Sequence, residues 1–335
     1  FKNLSTVKNI FSELHLDCNN SGNISSSAAI LIIFAYFTFT NIFIIKKFIN
    51  LSEKIFSKFD FLSFNVLLPL ALITYFWQIE FPQINTLLLL ISFFGGGILI
   101  FLIGFHVSKF LLQNKTDDNA LLGLSSCFGN SVALGIPLMH SLLGKLNVMP
   151  YMILVLFHGL VHFTYTTIII ESYRNRGLEL NKKIISTITG LFKNVVLVGI
   201  FIGIVLNYTK ITRPPLMMDI LNNISTFALP CVLLSLGFSL TKFNLLLSFK
   251  KSIIFTFLKN FIHPLIAFII SKYIFNLEDL LIITVTLASA LPTGSQAYYF
   301  AYRYGAQKDL ISSNIVLSTF VSFFTLSVLI LLFNT

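Results

Sequence analysis

The chain has 335 residues, of which 56% are hydrophobic and 11% charged, and its mean hydropathy is +0.86. A soluble domain carries about 25% charged residues, so this composition excludes one and describes a polytopic membrane protein. The net charge of +10 does not describe a nucleic-acid binder, because Lys and Arg fall between apolar runs and form no basic stripe interleaved with aromatics. Cys18, Cys127 and Cys231 have neither C-x-x-C nor metal-ligand spacing. No disulfide framework, metal site or cofactor is therefore expected.

In chain order, residues 1–27 form a polar segment without the pattern of a cleavable signal peptide. Ten apolar runs follow: 28–45, 61–79, 86–108, 119–143, 149–170, 188–208, 216–240, 252–275, 279–300 and 309–333. A bilayer span needs about 20 residues, so ten spans are predicted. The loops after runs 1, 3, 5, 7 and 9 hold sixteen Lys and Arg, the other side holds six, and Lys259 lies inside run 8. The positive-inside rule makes the first set cytoplasmic and places both termini outside. Residues 172–187, within the longest polar connection, are read as a cytoplasmic linker between 28–171 and 188–335. Each half then holds five spans, and an odd number per half requires the halves, if related, to be inverted.

Runs 4 and 9 are unlike ordinary spanning helices. Run 4 contains Cys127-Phe128-Gly129-Asn130-Ser131-Val132-Ala133-Leu134-Gly135-Ile136-Pro137, and run 9 contains Ala290-Leu291-Pro292-Thr293-Gly294-Ser295-Gln296. Proline removes a backbone donor and glycine weakens the helix around it. A break of this kind survives in hydrocarbon only where protein or water covers it. One proline in a membrane helix is most often a kink, but here Pro69 pairs with Pro230 and Pro137 with Pro292, at spacings of 161 and 155 residues. Two interrupted spans in corresponding positions point to a transporter's substrate site.

At these residues the chain resembles the auxin efflux carrier family, which includes plant PIN-formed auxin exporters and bacterial permeases for malate and malonate. Its N-x-x-x-x-G-x-P pattern is matched by Asn130, Gly135 and Pro137. Its second break is matched by Ala290-Leu291-Pro292-Thr293-Gly294 with Phe300-Ala301-Tyr302-Arg303-Tyr304-Gly305. Ala228-Leu229-Pro230 with Leu236-Gly237, Lys259 with Pro264, and Leu317-Ser318-Thr319 resemble its spans 7, 8 and 10. The polar lead and the end of run 1, Phe39-Thr40-Asn41, depart from the pattern. The resemblance implies an all-α integral membrane fold of ten transmembrane helices. They form two inverted five-helix repeats whose broken spans 4 and 9 cross at mid-membrane, as in bile-acid symporters and sodium/proton antiporters. It also makes a homodimer an expected partner state, in the plasma membrane or a bacterial inner membrane.

Helix N-termini carry free N–H groups and about half a positive charge, so two half-helix ends meeting at mid-membrane suit a carboxylate. The candidate substrate-binding residues are Asn130, Ser131, Gly135, Ile136, Pro137, Leu291, Pro292, Thr293, Gly294, Ser295 and Gln296. Pro137 is expected at the first position of the second half-helix. The reading is a secondary carrier of a small organic anion, auxin-like or dicarboxylate, with membrane lipid and no nucleic acid as further partners. The alternative is a transporter-like sensor without significant flux, which would be expected to carry an appended soluble domain. An intramembrane enzyme would need a nucleophile with its base, paired acids or H-E-x-x-H, and none is present. All 13 Asp and Glu fall in loops or near span ends, so no deep acidic carrier of protons or sodium is expected. His158 and His162, four apart, share a helix face and are read as bundle hydrogen-bonders. His140 and His263 are read as packing or cavity residues, and Lys259 as snorkelling toward the interface, with a role toward the anion as the lesser reading.

Overall fold

The computed structural model describes residues 53–79, 84–113, 115–173, 195–240 and 248–333, together with positions 182, 185 and 189. The polar lead, the expected run 28–45 and most of the linker 172–187 lie outside the described residues. Among those described, every named element is helical. They are α1 (Glu53–Leu62), α2 (Leu68–Gln78), α3 (Thr86–Leu112), α4 (Thr116–Cys127), α5 (Ile136–Asn147), α6 (Met149–Tyr173), α7 (Val195–Tyr208), α8 (Pro215–Leu240), α9 (Phe249–Phe257), α10 (His263–Ile269), α11 (Asp279–Ala290), α12 (Gln296–Tyr304) and α13 (Lys308–Phe333). Among the described residues five stretches are long and apolar enough to cross a bilayer: Ile55–Gln78, Thr86–Leu112, Met149–Ile170, Phe249–Ile274 and Lys308–Phe333.

Three of the joins between these helices follow from proline. The π-helical turns Ser63–Leu67, Ser131–Gly135 and Leu258–Ile262 each lead into a helix whose second residue is proline: Pro69, Pro137 and Pro264. A proline ring clashes with the carbonyl four residues back and leaves it without a donor. One wider turn moves that carbonyl aside and keeps the helix running. Pro230 differs, sitting inside α8.

α13 is polar inside and apolar outside, and α3 turns apolar side chains outward over a buried face that is itself largely apolar. On α13 the residues Ser312, Ser313, Asn314, Ser318, Thr319, Ser322 and Thr325 are buried, while Phe320, Phe324, Val328, Leu331 and Leu332 are exposed. On α3 the exposed set includes Leu87, Ile91, Ile98, Leu102 and Phe110. In water that distribution would be unfavourable, at roughly 25 cal/mol for each Å² of apolar surface left exposed. Against lipid tails it costs nothing, and polar side chains then bind helices together from within.

One set of contacts joins α2 to α7 and α8. Here backbones approach closely: a Cβ on Gly199 would lie 2.9 Å from the Pro69 carbonyl oxygen and 3.0 Å from its Cα. Asn207 fastens the far end of α7, its Nδ2 lying 2.9 Å, 3.2 Å and 2.6 Å from the carbonyl oxygens of Phe76, Trp77 and Ile79 at the end of α2. A second set joins α3 to α4 and α10, α4 to α6, α11 to α10 and α13, and α9 to α13. The two sets meet where α8 touches α5 and the turn Ser131–Gly135. Replacing Gly199 with Leu is expected to force α7 from α2 and to lower the midpoint of thermal unfolding of the purified protein by several degrees. Gly199→Ala should show a smaller loss in the same melting assay.

Candidate functional site

The two breaks lie against each other and complete each other's hydrogen bonding. α4 ends at Cys127, and Phe128 and Asn130 leave helical geometry at φ −74°, ψ 108° and φ −77°, ψ 62°. α11 ends at Ala290, and Leu291 turns the chain away at φ −56°, ψ 144°. Gly129 and Thr293 form an antiparallel bridge. Across it the Asn130 N–H donates to the Pro292 carbonyl at 2.7 Å, and the Gly294 N–H donates to the Phe128 carbonyl at 3.0 Å. Gly294 leaves room for this pairing, since a Cβ there would lie 2.8 Å from the Gly129 oxygen and 2.9 Å from Phe128 Cε1.

Neighbouring helices pin the crossing with neutral groups. Thr293 Oγ1 donates to the Ser125 carbonyl at 2.8 Å, and the Thr293 N–H donates to Ser318 Oγ at 3.0 Å. The Asn314 amide donates to Thr293 Oγ1 at 3.1 Å and to the Ser125 carbonyl at 3.3 Å, while its oxygen accepts from Thr256 Oγ1 at 2.8 Å. From α10's leading turn, the Asn260 amide donates to the Ser318 carbonyl at 3.2 Å. On the other side Tyr151 OH donates to the Ser131 carbonyl at 2.6 Å, and His158 Nε2 donates to the Gly129 carbonyl at 3.2 Å. His162 Nδ1 donates to the His158 carbonyl at 2.8 Å. The pair therefore hydrogen-bonds within the bundle. Among the described residues no group of three His, Cys, Asp or Glu is placed to hold a metal ion.

The N-terminal ends beyond the breaks remain open. The first bond of the turn Ser131–Gly135 runs from the Gly135 N–H to the Asn130 carbonyl at 3.0 Å. The N–H groups of Ser131, Val132, Ala133 and Leu134 precede it and find no acceptor among the described residues. At the second break the first bonds are Ala297 N–H to the Gly294 carbonyl and Tyr298 N–H to the Ser295 carbonyl, at 3.0 Å and 3.1 Å. That leaves the N–H groups of Ser295 and Gln296 free of helical partners. Asn130 is 4% exposed, and its side chain has no partner among the described residues.

Most of the expected site residues thus come together. Asn130, Ser131, Gly135, Ile136, Leu291, Pro292, Thr293 and Gly294 are buried at the crossing, and Pro137 is buried in the first turn of α5. Ser295 is half-buried and Gln296 is exposed. One expectation needs correction: Pro137 does not open the second half-helix. Helical geometry resumes at Ser131 and runs through the π turn into α5, so Pro137 sits past the free N–H groups. A second correction concerns Lys259. It does not snorkel: it is 0% exposed, and its Nζ donates to the Ser289 carbonyl at 2.6 Å. The pins Tyr151, Thr256 and Asn314 were missed. The α13 pins had a signal in the spacing Asn314, Ser318, Ser322, Thr325, a polar stripe along one face of an apolar helix.

Asn314 holds three partners at once, and a buried polar group left unpaired costs about 1–3 kcal/mol. Asn314→Leu is expected to lower the melting temperature of the purified protein by more than Ser322→Ala, which removes only a hydroxyl bound to its own helix at Thr319.

The chain is similar to known membrane transport proteins. The family described as "Membrane transport protein" matches residues 25–330. A Rhizobium meliloti (strain 1021) protein named "Putative malonate transporter" is 20% identical over 245 residues, 72% of this chain and 75% of its own. A protein named as an uncharacterized transporter, from Methanocaldococcus jannaschii, is 27% identical over 245 residues, again 72% of this chain and 75% of its own. With its apolar helices and its matched family extent, the chain is an integral, multi-pass membrane protein and a transporter rather than an enzyme; it belongs to the membrane transport protein family, the auxin efflux carriers that its motifs resemble.

Proposed function

We propose that the protein carries a small organic anion across the membrane by alternating access at the crossing, the anion's carboxylate binding where the half-helix N-termini open. The observation that carries this reading is the set of free N–H groups at Ser131 to Leu134, beside the unpartnered Asn130 amide and across the bridge from Ser295 and Gln296. Free N–H groups and the aligned peptide dipoles together favour negative charge. In a low-dielectric setting such a site attracts a carboxylate without a formal cation facing it. The name of the Rhizobium relative specifies malonate, which supports a short carboxylate as the class of substrate.

The rest of the proposed architecture follows from the same features. Ten spans form two inverted repeats, 28–171 and 188–335, joined by a cytoplasmic linker at 172–187, with both termini outside. Matched contacts support the repeat: α3 lies on α4 as α10 lies on α11, and α4 lies on α6 as α11 lies on α13. The assembly α2–α7–α8 would serve as the support past which the crossing and its helices move. Lys145 Nζ donates to Gln78 Oε1 at 2.9 Å, and Gln78 Nε2 donates to Asn222 Oδ1 at 3.0 Å, tying α5 to α2 and α8. At the opposite break Gln296 is exposed. This asymmetry supports a conformation closed on the α5 side and open on the α12 side.

The test is counterflow of labelled malonate and of a panel of mono- and dicarboxylates by the purified chain in liposomes. Asn130→Ala is expected to cut flux at least tenfold while leaving the melting temperature within a few degrees of the unsubstituted protein. Undiminished flux in that variant would remove the proposed site, and no flux of any acid with the unsubstituted protein would remove the carrier reading.

A further inference from the structure

Lys259 is the only charged side chain fully buried among the described residues, and nothing in the proposed binding of an anion uses it. Its place is specific. It lies in the turn Leu258–Ile262 on the side of the crossing facing α11, and its Nζ is 2.6 Å from the Ser289 carbonyl. Ser289 is the penultimate residue of α11, so its carbonyl is one of the last four, which no intrahelical N–H reaches. These carbonyls form the negative end of the half-helix dipole.

In carriers built from broken helices, the C-terminal ends of half-helices and unwound carbonyls are where a coupling cation is coordinated. Here a carbonyl at each such end already accepts from the protein's own groups. At the end of α4, the Ser125 carbonyl accepts from Thr293 and Asn314, and the Leu124 carbonyl accepts the Phe128 N–H at 2.8 Å. At the end of α11, the donor is an ammonium. We propose that Lys259 is the resident cation of this crossing, standing where an ion-coupled carrier would bind its metal ion, so that the protein works without sodium or another coupling metal cation.

The surroundings accord with this. The ionisable groups facing Lys259 are His263 on its own helix, His158 and His162 from α6, and Cys127 at the end of α4. His263 Nδ1 is 3.3 Å from the ammonium and is placed to accept from it. The three histidine rings gather around Phe93, with centroids 5.8 Å, 6.3 Å and 6.4 Å from it. Among the described residues no carboxylate joins them: the acidic residues of α4, α11 and α13 lie in the first turns of those helices. A divalent cation takes oxygen ligands, several of them usually carboxylates, and among the described residues this set offers none. Taking an ammonium out of water carries a penalty of several kcal/mol unless the site holds it. A carbonyl end with no other donor is such a holder, and the ammonium in turn keeps the α11 terminus neutralised beside the bridge. Ser289 Oγ and Asn260 Oδ1 next to it are buried without partners, so a truncated Lys259 would leave further oxygens lining the vacated space.

The inference rests on the carrier reading only for what an ion would couple to, and its test needs no substrate. Thermal unfolding of the purified full chain is measured in choline chloride with increasing sodium, lithium or ethylammonium, for the unsubstituted protein and for Lys259→Ala. The unsubstituted protein should show no saturable shift with any of them. Lys259→Ala should melt several degrees lower in choline and recover part of that loss, saturably, with at least one of the small cations. Saturable stabilisation of the unsubstituted protein by sodium or lithium would overturn the inference, as would a Lys259→Ala protein that none of the cations stabilises. Should Lys259→Ala fail to fold, the titration of the unsubstituted protein decides alone, a saturable shift overturning the inference and its absence upholding it.

Discussion

Two hydrogen bonds between two interrupted helices hold this structure to its form. An open backbone inside a membrane has no water to complete it, so a broken helix needs another group to take up its free donors and acceptors. In this protein the other group is the second break. The Asn130 N–H meets the Pro292 carbonyl and the Gly294 N–H meets the Phe128 carbonyl, a two-residue piece of antiparallel ladder within an otherwise helical set of residues. Each break supplies a donor and an acceptor that the other needs. From that follow the glycine at 294, where a Cβ would collide with the facing backbone, the hydroxyls and amide of Thr293, Asn314 and Ser318 around the contact, and the buried polar face of α13.

The bridge also sorts the four helix ends by sign. The carbonyl ends of α4 and α11 are covered by Thr293, Asn314 and Lys259, while the N–H end at Ser131 to Leu134 is left without acceptors among the described residues. A crossing with covered negative ends and open positive ends is biased toward anions. That bias requires no deep acid, which agrees with the placement of the acidic residues of α4, α11 and α13 at helix starts. Motion is compatible with the same geometry, because α2, α7 and α8 meet the crossing helices at few places, the contacts of α8 with α5 and with the turn Ser131–Gly135 among them.

Much of this was legible in the amino-acid sequence, for identifiable reasons. Among the described residues, the apolar runs from 61–79 onward fall on helices or on the two breaks, and the breaks at 128–130 and 291–295 were marked by Gly, Asn and Pro in apolar context. The family assignment rested on the order of those breaks. The restart of the helix was not legible. Proline suits a helix start and equally the exit from a π turn, and the two differ by six residues between Ser131 and Pro137. Depth of burial was equally hidden for Lys259: distance along the helix suggested reach to the interface, but the direction of the side chain is set by α11, thirty residues away in sequence. Tyr151 and Thr256 act across helices, and no local pattern announces such partners.

The account stands most directly on where a bound acid sits. The decisive measurement is an experimental structure of the purified protein with a saturating short dicarboxylate such as malonate. The account predicts a carboxylate about 3 Å from the N–H groups that begin at Ser131, within reach of the Asn130 amide and beside the Ser295 turn. An acid bound elsewhere, with those N–H groups hydrated and Asn130 turned away, would contradict it.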